Sequence, residues 1–378
     1  MLQILPEAEG LRAVQLKDWD EKSLIREVFG RFAATARPDK FDDSIIIDLA
    51  EVLDWPAAPL LVYSMDQPSF VPPSNPDVDP FRFYGRWIAG VTCNDIIAMG
   101  ARCKGFSLAL ATPPDLETTQ VETLLGGITD VIDNCEAEYQ GGNLDSGQLN
   151  AVGMAWGLVA RQGIIRRGGA RPGDAIVVTG ELGLGWLEYH ARKHKLLDRL
   201  STLDAERFRH YKDMPIGAAA AIAAVADRGL FTSGMDLSDG LVEFLYTIAA
   251  RSGAGCVIDL QSLPVSPTTR RNLPLLLSLL PDSADVLERY PELIAFDPGY
   301  DSPLRHAFTT PVGYVAEATR ICAENGATLH VIGHVVAEPR VLADCGDGKR
   351  VEIPGFWDDQ FRQEDKLIAW STFLQAFQ

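Results

Sequence analysis

The 378-residue chain has no apolar run approaching the ~20 residues of a membrane-spanning helix, so no membrane partner is expected. Its six cysteines (Cys93, Cys103, Cys135, Cys256, Cys322 and Cys345) include no CxxC pair, which argues against a zinc site and for a reducing compartment. The six histidines show no metal spacing. His190 and His194 are four apart, but they lie among Arg192, Lys193 and Lys195 and read as a solvated helix face. GxxxxGKS, a strand-to-helix GxGxxG and GxSxG are all missing, so Walker, Rossmann and serine-hydrolase readings lack support. Basic residues are scarce: 34 Lys and Arg against 52 Asp and Glu leave a formal charge of −18. That surface repels phosphate backbones and excludes nucleic acid as a partner. A bound polyphosphate would need metal ions to shield it from so many carboxylates. The opening MLQILPEAEG lacks a positive segment followed by an apolar core, so a cytoplasmic protein is expected.

What is present fits a globular enzyme: 47% hydrophobic and 23% charged residues, and enough length for two domains. Residues 17–33 read as a short amphipathic helix. Ser44–Leu49 and Pro59–Met65 read as strands, with the proline-rich Gln67–Pro80 loop after the second. Phe81–Gly100 reads as a helix in which Phe83, Trp87 and Val91 recur every fourth residue. Asp95 and Met99 continue that series, which puts Asp95 in the buried stripe. A strand at Arg102–Thr112, a helix at Asp115–Asn134, a Gly141–Gly147 turn and a strand at Ala151–Ala160 follow. The turn cluster Gly168–Asp174 marks a candidate domain boundary. Beyond it come a strand at Ala175–Thr179, helices around Leu182–His194 and Ile216–Asp227, and a short strand at Thr232–Met235. A helix at Leu241–Ala250, a strand at Gly255–Leu260, a helix at Pro311–Asn325 and a strand at Ala327–Val336 complete the pattern. The mixture predicts an α/β (α+β) chain with two sheets.

Aspartates stand where a core needs apolar residues or where strands end: Asp42, Asp43, Asp66, Asp95, Asp145, Asp236 and Asp239. A bare carboxylate there is expensive unless something positive neutralises it. Several from distant parts of one chain suggest a shared Mg²⁺ site, and Mg²⁺ on carboxylates usually holds phosphates. Plainer readings stand beside this one. Asp42-Asp43 and Asp66 can be ordinary strand ends, Asp95 can be half of a core salt bridge, and Ser238-Asp239-Gly240 can be a helix N-cap. Arg166 and Arg167 can bind phosphate or occupy an exposed turn.

Taken in order, these segments resemble the AIR synthase-like (PurM-like) ATP-binding superfamily, most closely its thiamine-monophosphate kinase members. Lys40–Ser44 looks like the family's GDDxA, Ser64-Met65-Asp66 like STD, and Gly90–Ala101 (GVTCNDIIAMGA) like AVNLSDLAAMGA. Gly141–Gly147 looks like GGDTTRG, Gly169–Asp174 with Val178–Gly180 like GAKPGD..YVTG, and Met235–Leu241 like IDLSDGL. Each match is weak alone; their colinear order carries the resemblance. It implies a two-domain fold, with an N-terminal sheet that pairs across a homodimer into a barrel and a C-terminal mixed sheet with helices. The expected division is a helical extension at 1–36, an ATP-binding domain at 37–165, a C-terminal domain at 166–345 and a tail at 346–378.

The resemblance further implies Mg²⁺- and ATP-dependent phosphoryl transfer to an oxygen of a small-molecule acceptor. The expected metal ligands are Asp42, Asp43, Asp66, Asp95, Asp145 and Asp239. Asp43, Asp66, Asn94, Gly141, Gly142, Asn143 and Arg167 are expected against the nucleotide, and Asp95, Asp236 and Asp239 at the reacting centre. Several positions depart from the kinase pattern. Asn143 replaces an aspartate, Ser146 an arginine and Phe41 a glycine, and Phe296–Ser302 stands where the kinase has GGEDYEL. These departures fall mainly on the acceptor side and point to an acceptor other than thiamine monophosphate. They also leave open an ATP-driven ligase, cyclase or dehydratase, and a nucleotide-binding regulator without catalysis.

Overall fold

The computed structural model describes residues 44–50, 57–70, 79–204, 218–279, 281–296, 305–346, 348–355 and 366–378. Asp42, Asp43, the 17–33 segment and most of the Gln67–Pro80 and Phe296–Ser302 stretches lie outside them.

The first half is a five-stranded sheet ordered β1 (Ile45–Asp48), β2 (Leu60–Asp66), β5 (Asn150–Val159), β3 (Arg102–Thr112), β4 (Glu138–Ser146). Neighbours are antiparallel except β3 and β4, which run parallel. Two helices cover one face: α1 (Pro80–Ala98) and α2 (Thr118–Ile132). Asp79 starts α1 by accepting the backbone N–H groups of Phe81 and Arg82 at 2.9 Å each, with Pro80 at the first helical position.

Small residues set the depth at which α1 lies. On β5 every second residue is buried, and Gly153 and Gly157 fall in that row. A Cβ on Gly153 would come within 2.6 Å of Thr92 Oγ1, and one on Gly157 within 2.7 Å of an Ile96 methyl. The two helices cross as closely: a Cβ on Gly85 would lie 2.0 Å from the Leu124 carbonyl oxygen. This packing seals Ile88, Ile96, Phe106 and Ile128 from solvent, at roughly 1.5–3 kcal/mol of transfer free energy for each such side chain.

The second half is a seven-stranded mixed sheet. Its order is β12 (Arg350–Glu352), β11 (Val341–Asp344), β8 (Gly255–Asp259), β10 (Leu329–Val336), β6 (Asp174–Thr179), β9 (His306–Pro311), β7 (Ser233–Asp236). Its longer helices are α3 (Leu184–Lys193), α4 (Ala219–Asp227), α5 (Gly240–Ser252), α6 (Val315–Glu324) and α7 (Lys366–Gln375). Trp370, Phe373, Leu374 and Phe377 at the C-terminus pack into this half's core. The other side of the sheet faces the first half, where Val177, Phe308, Ile222 and Cys322 join Ile96, Phe106 and Val159 in one apolar cluster. The two halves therefore share a core, and the ends of α1, β2, β7 and β9 can meet.

Four sequence expectations change. The helix face with His190 and His194 is not solvated: His190 is buried at 1% exposure and its ring stacks on that of the half-buried His194, 5.6 Å between centroids. The Gly141–Gly147 segment is not a turn: it forms most of β4, the edge strand. Gly142 lies so close to β3 that a Cβ there would strike the Leu108 carbonyl oxygen at 1.7 Å, so the glycine serves strand packing. His306–Pro311, for which no strand was expected, is β9, inside the second sheet. The stripe that continues to Asp95 is not the buried one. Phe83, Trp87, Val91 and Asp95 are half-buried, while Tyr84, Ile88 and Thr92, one position on, fill the core.

Candidate active site

Ser64 and Asp66 lie two apart at the end of β2 and so share a face. The register places them opposite Ala155 and Gly153 of β5, beneath α1. The last turn of α1 supplies Asn94, fully buried, and Asp95, half-buried. Ser64 Oγ donates to Asp95 Oδ2 at 2.5 Å, which fixes that carboxylate. From the second half, Asp236 ends β7 directly opposite His306 of β9. Asn94 Nδ2 donates to Asp236 Oδ2 at 3.1 Å, and the Ser238 N–H reaches the same oxygen at 3.3 Å. The His306 ring contacts the Asn94 carbonyl through Nε2 at 3.4 Å. That carbonyl can only accept, so Nε2 carries the proton.

Four carboxylates thus share one electrostatic environment. Burial pushes the Asp66 carboxyl up to about 6; the charges of Asp236 and Asp239 push the same way, and a hydrogen bond with Asp95 opposes them. His306 is held down to about 4 because burial disfavours its charged form, although Asp236 and the Asn94 carbonyl favour it. The ring is neutral at pH 7. Asp239 stands at the N-cap position of α5, yet its side chain makes no capping hydrogen bond. The N-cap reading does not account for it, and its charge is felt at Asp66.

Three buried polar atoms at this junction have no hydrogen-bond partner among the described residues: Asp66 Oδ2, Asn94 Oδ1 and His306 Nδ1. Buried polar atoms are nearly always paired, so three together mark a place built for something else. Two of the three are hard oxygen donors, the type that Mg²⁺ prefers. Among the described residues no three carboxylates gather their oxygens within 4.8 Å of one another, so these residues by themselves form no closed cage.

The structure therefore brings together Asp66, Asn94, Asp95, Asp236 and Asp239. It leaves Asn143 and Asp145 exposed on β4, where Asp145 Oδ1 accepts the Ser146 N–H at 2.7 Å. Gly141 and Gly142 are part of the same strand. Arg167 is half-buried in the connection between β5 and β6. Asp42 and Asp43 lie outside the described residues. Sequence reasoning missed His306. Its signal was available in Phe308-Thr309-Thr310, an aromatic and β-branched run that Pro311 terminates.

Residues 47–159 match the family model for the N-terminal domain of AIR synthase related protein, and residues 171–345 match the one for its C-terminal domain. A thiamine-monophosphate kinase of Escherichia coli (strain K12) is 31% identical over 259 residues, covering 67% of this chain and 75% of that protein. One from Methanospirillum hungatei is 35% identical over 187 residues, 48% of this chain and 58% of that protein. A ThiL structure solved with AMPPCP and TMP superposes with a TM-score of 0.68 at 22% identity, covering 93% of this chain and 100% of that one. At that identity the likeness is one of fold.

Proposed function

The chain belongs to the AIR synthase-related family, alongside its thiamine-monophosphate kinases, and from that premise we propose that it transfers a phosphoryl group from Mg-ATP to an oxygen of a small molecule. The observation that carries the reading is the meeting of Asp66, Asn94 and Asp95 from one half with Asp236 and Asp239 from the other. Phosphoryl transfer asks little covalent chemistry of a protein. It asks for positioning and for charge neutralisation.

Asp66, Asp95, Asp236 and Asp239 would hold Mg²⁺, with Asp42 and Asp43 as further candidates. An open set of carboxylates suits this ion, which is commonly bound by one or two carboxylates plus substrate phosphates rather than by an all-protein cage. When bound, Mg²⁺ supplies charge neutralisation for the phosphates of the nucleotide. The chain's own residues do the positioning. Ser64 holds Asp95 in one rotamer. The Asn94 amide and the Ser238 N–H hold Asp236, so that the second half moves with the last turn of α1. Neutral His306 packs behind Asn94 without adding charge. The departures at Asn143 and Phe296–Ser302 favour an acceptor distinct from thiamine monophosphate, with the nucleotide chemistry retained.

Quaternary structure belongs to this proposal. β1 and β4 are the two edges of the first sheet, and Ile45, Met65, Tyr139 and Leu144 on it are exposed apolar residues. Such edges favour pairing with a second copy. Free thiols at all six cysteines fit a reducing cytoplasm. Among the described residues no helix is long and apolar enough to cross a membrane.

The test is product analysis by phosphorus NMR after incubation with Mg-ATP and thiamine monophosphate, and in parallel with a panel of small alcohols and phosphate monoesters. A phosphorylated product from any acceptor supports a kinase. Free phosphate together with a newly condensed or dehydrated product would indicate the ligase or dehydratase outcome instead. Absence of both, with Mg-ATP still bound, would favour a non-catalytic binder.

A further inference from the structure

The fold gathers three cysteines that the sequence scatters. Cys93 lies on α1, Cys103 near the start of β3, and Cys135 in the 3₁₀ turn Asp133–Cys135 that follows α2. They are ten and 32 residues apart in the chain, yet their Sγ atoms all lie within 4.8 Å of one another. Among the described residues this is the one group of three or more potential ligand atoms so close together. The absence of a CxxC pair therefore did not exclude a thiol site.

The surroundings select what could bind. Cys93 is 0% and Cys103 2% exposed, both inside the apolar cluster that the two halves share, and Cys135 packs against it. The Cys103 thiol points at the Cys93 carbonyl at 3.8 Å. The turn that carries Cys135 is closed by Glu136 in the left-handed conformation (φ 56°), with its N–H bonded to the Asp133 carbonyl. Cys135 is partly exposed, which gives the cluster an opening to solvent. Three sulfurs around one ion at ~2.3 Å stand about 3.8–4.0 Å apart, so closing the cluster needs sulfur shifts of less than about 1 Å. An apolar wall and sulfur donors reject Mg²⁺ and favour soft ions. The described residues offer no fourth ligand atom at this place.

We propose that Cys93, Cys103 and Cys135 form a three-thiolate site for a soft closed-shell metal ion, with copper(I), which accepts three thiolates without a fourth ligand, as the best match. The site is separate from the Mg²⁺ chemistry proposed above and does not rest on it. Binding replaces the thiol protons, which leave to solvent, and no electron is transferred. Occupancy would pin α1, β3 and the turn after α2 to one another, one residue from Asn94.

The test uses the full-length reduced protein under anaerobic conditions. Copper(I) is titrated in competition with a chromogenic chelator, and Cd²⁺ is followed by its thiolate charge-transfer absorption. The expected result is one ion per chain, with a raised Tm at one equivalent. Cys135→Ser, at the partly exposed turn, should keep native circular dichroism and basal ATP turnover. It should weaken binding by more than the roughly 10–100-fold that loss of an outer-shell partner costs. Cys103→Ala should do the same. Failure of the wild-type protein to hold copper(I) or Cd²⁺ against the chelator would overturn the proposal, as would wild-type affinity in a folded Cys135→Ser protein.

Discussion

Asn94 Nδ2 donates to Asp236 Oδ2 at 3.1 Å, joining residues 142 positions apart and both buried. This bond ties the helix end of the first half to the strand end of the second. Truncation by Asn94→Ala leaves Asp236 Oδ2 with one long backbone donor and should cost about 1–3 kcal/mol. Asn94→Asp sets two carboxylates against each other and should cost more at pH 7 than at pH 5, where protonation relieves the repulsion. Urea unfolding at the two pH values measures both effects. Equal stability of Asn94→Asp at pH 5 and pH 7 would count against the pairing.

Asp66 trades stability for chemistry. Its folded-state value of about 6 lies above the ordinary carboxyl value of 3.8, so the folded state binds this proton more tightly than the unfolded chain does. The stabilisation is complete below about 3.8 and is lost as pH rises through about 6. Asp66→Asn should therefore stabilise the ligand-free protein by roughly 1–3 kcal/mol at pH 7.5, with no gain near pH 4. It should also abolish turnover. Melting curves at the two pH values decide, and a destabilised variant at pH 7.5 would show that Asp66 is a structural partner.

The same proton competes with the metal. Below pH 6, Mg²⁺ has to displace it, so apparent affinity should fall by about tenfold per pH unit. In the Asp66→Asn protein the slope should be absent. Calorimetric titration with Mg²⁺ and AMPPCP between pH 5 and 8 reads this directly.

Asp95 is held by Ser64 and is half-buried, so its loss perturbs little packing. Asp95→Asn should abolish ATP turnover while leaving the circular dichroism and Tm of the wild type within a few degrees. Ser64→Ala should retain turnover at a reduced rate, because the carboxylate remains but its rotamer is no longer fixed. Unchanged turnover in Asp95→Asn would remove Asp95 from the site.

Much of this site was legible in the sequence, because carboxylates in apolar strands and helices stand out against their neighbours. Asp66, Asp95 and Asp236 stood out as candidates on that ground, although Asp66 also reads as an ordinary strand end and Asp95 as half of a salt bridge; β2, α1 and β7 could be placed from the pattern itself. Other features depended on tertiary contact. Gly141 and Gly142 resemble a turn, but at Gly142 the requirement is the approach of β4 to β3. Asp95 continues a row of apolar residues that borders the core without filling it, since periodicity does not say which of two adjacent rows is covered. His306 was hidden in a strand that follows a segment of unusual sequence. The cysteine cluster is invisible to spacing rules, because its three members come from a helix, a strand and a turn.

The most direct test of the central claim, that carboxylates from both halves form one site for Mg²⁺ and nucleotide, is calorimetric binding of AMPPCP with and without Mg²⁺. It is to be run on the wild type, Asp66→Asn and Asp236→Asn. The expected result is binding that requires Mg²⁺ and is lost or strongly weakened in both variants, one from each half. Nucleotide binding that is independent of Mg²⁺ and unchanged in both variants would contradict it.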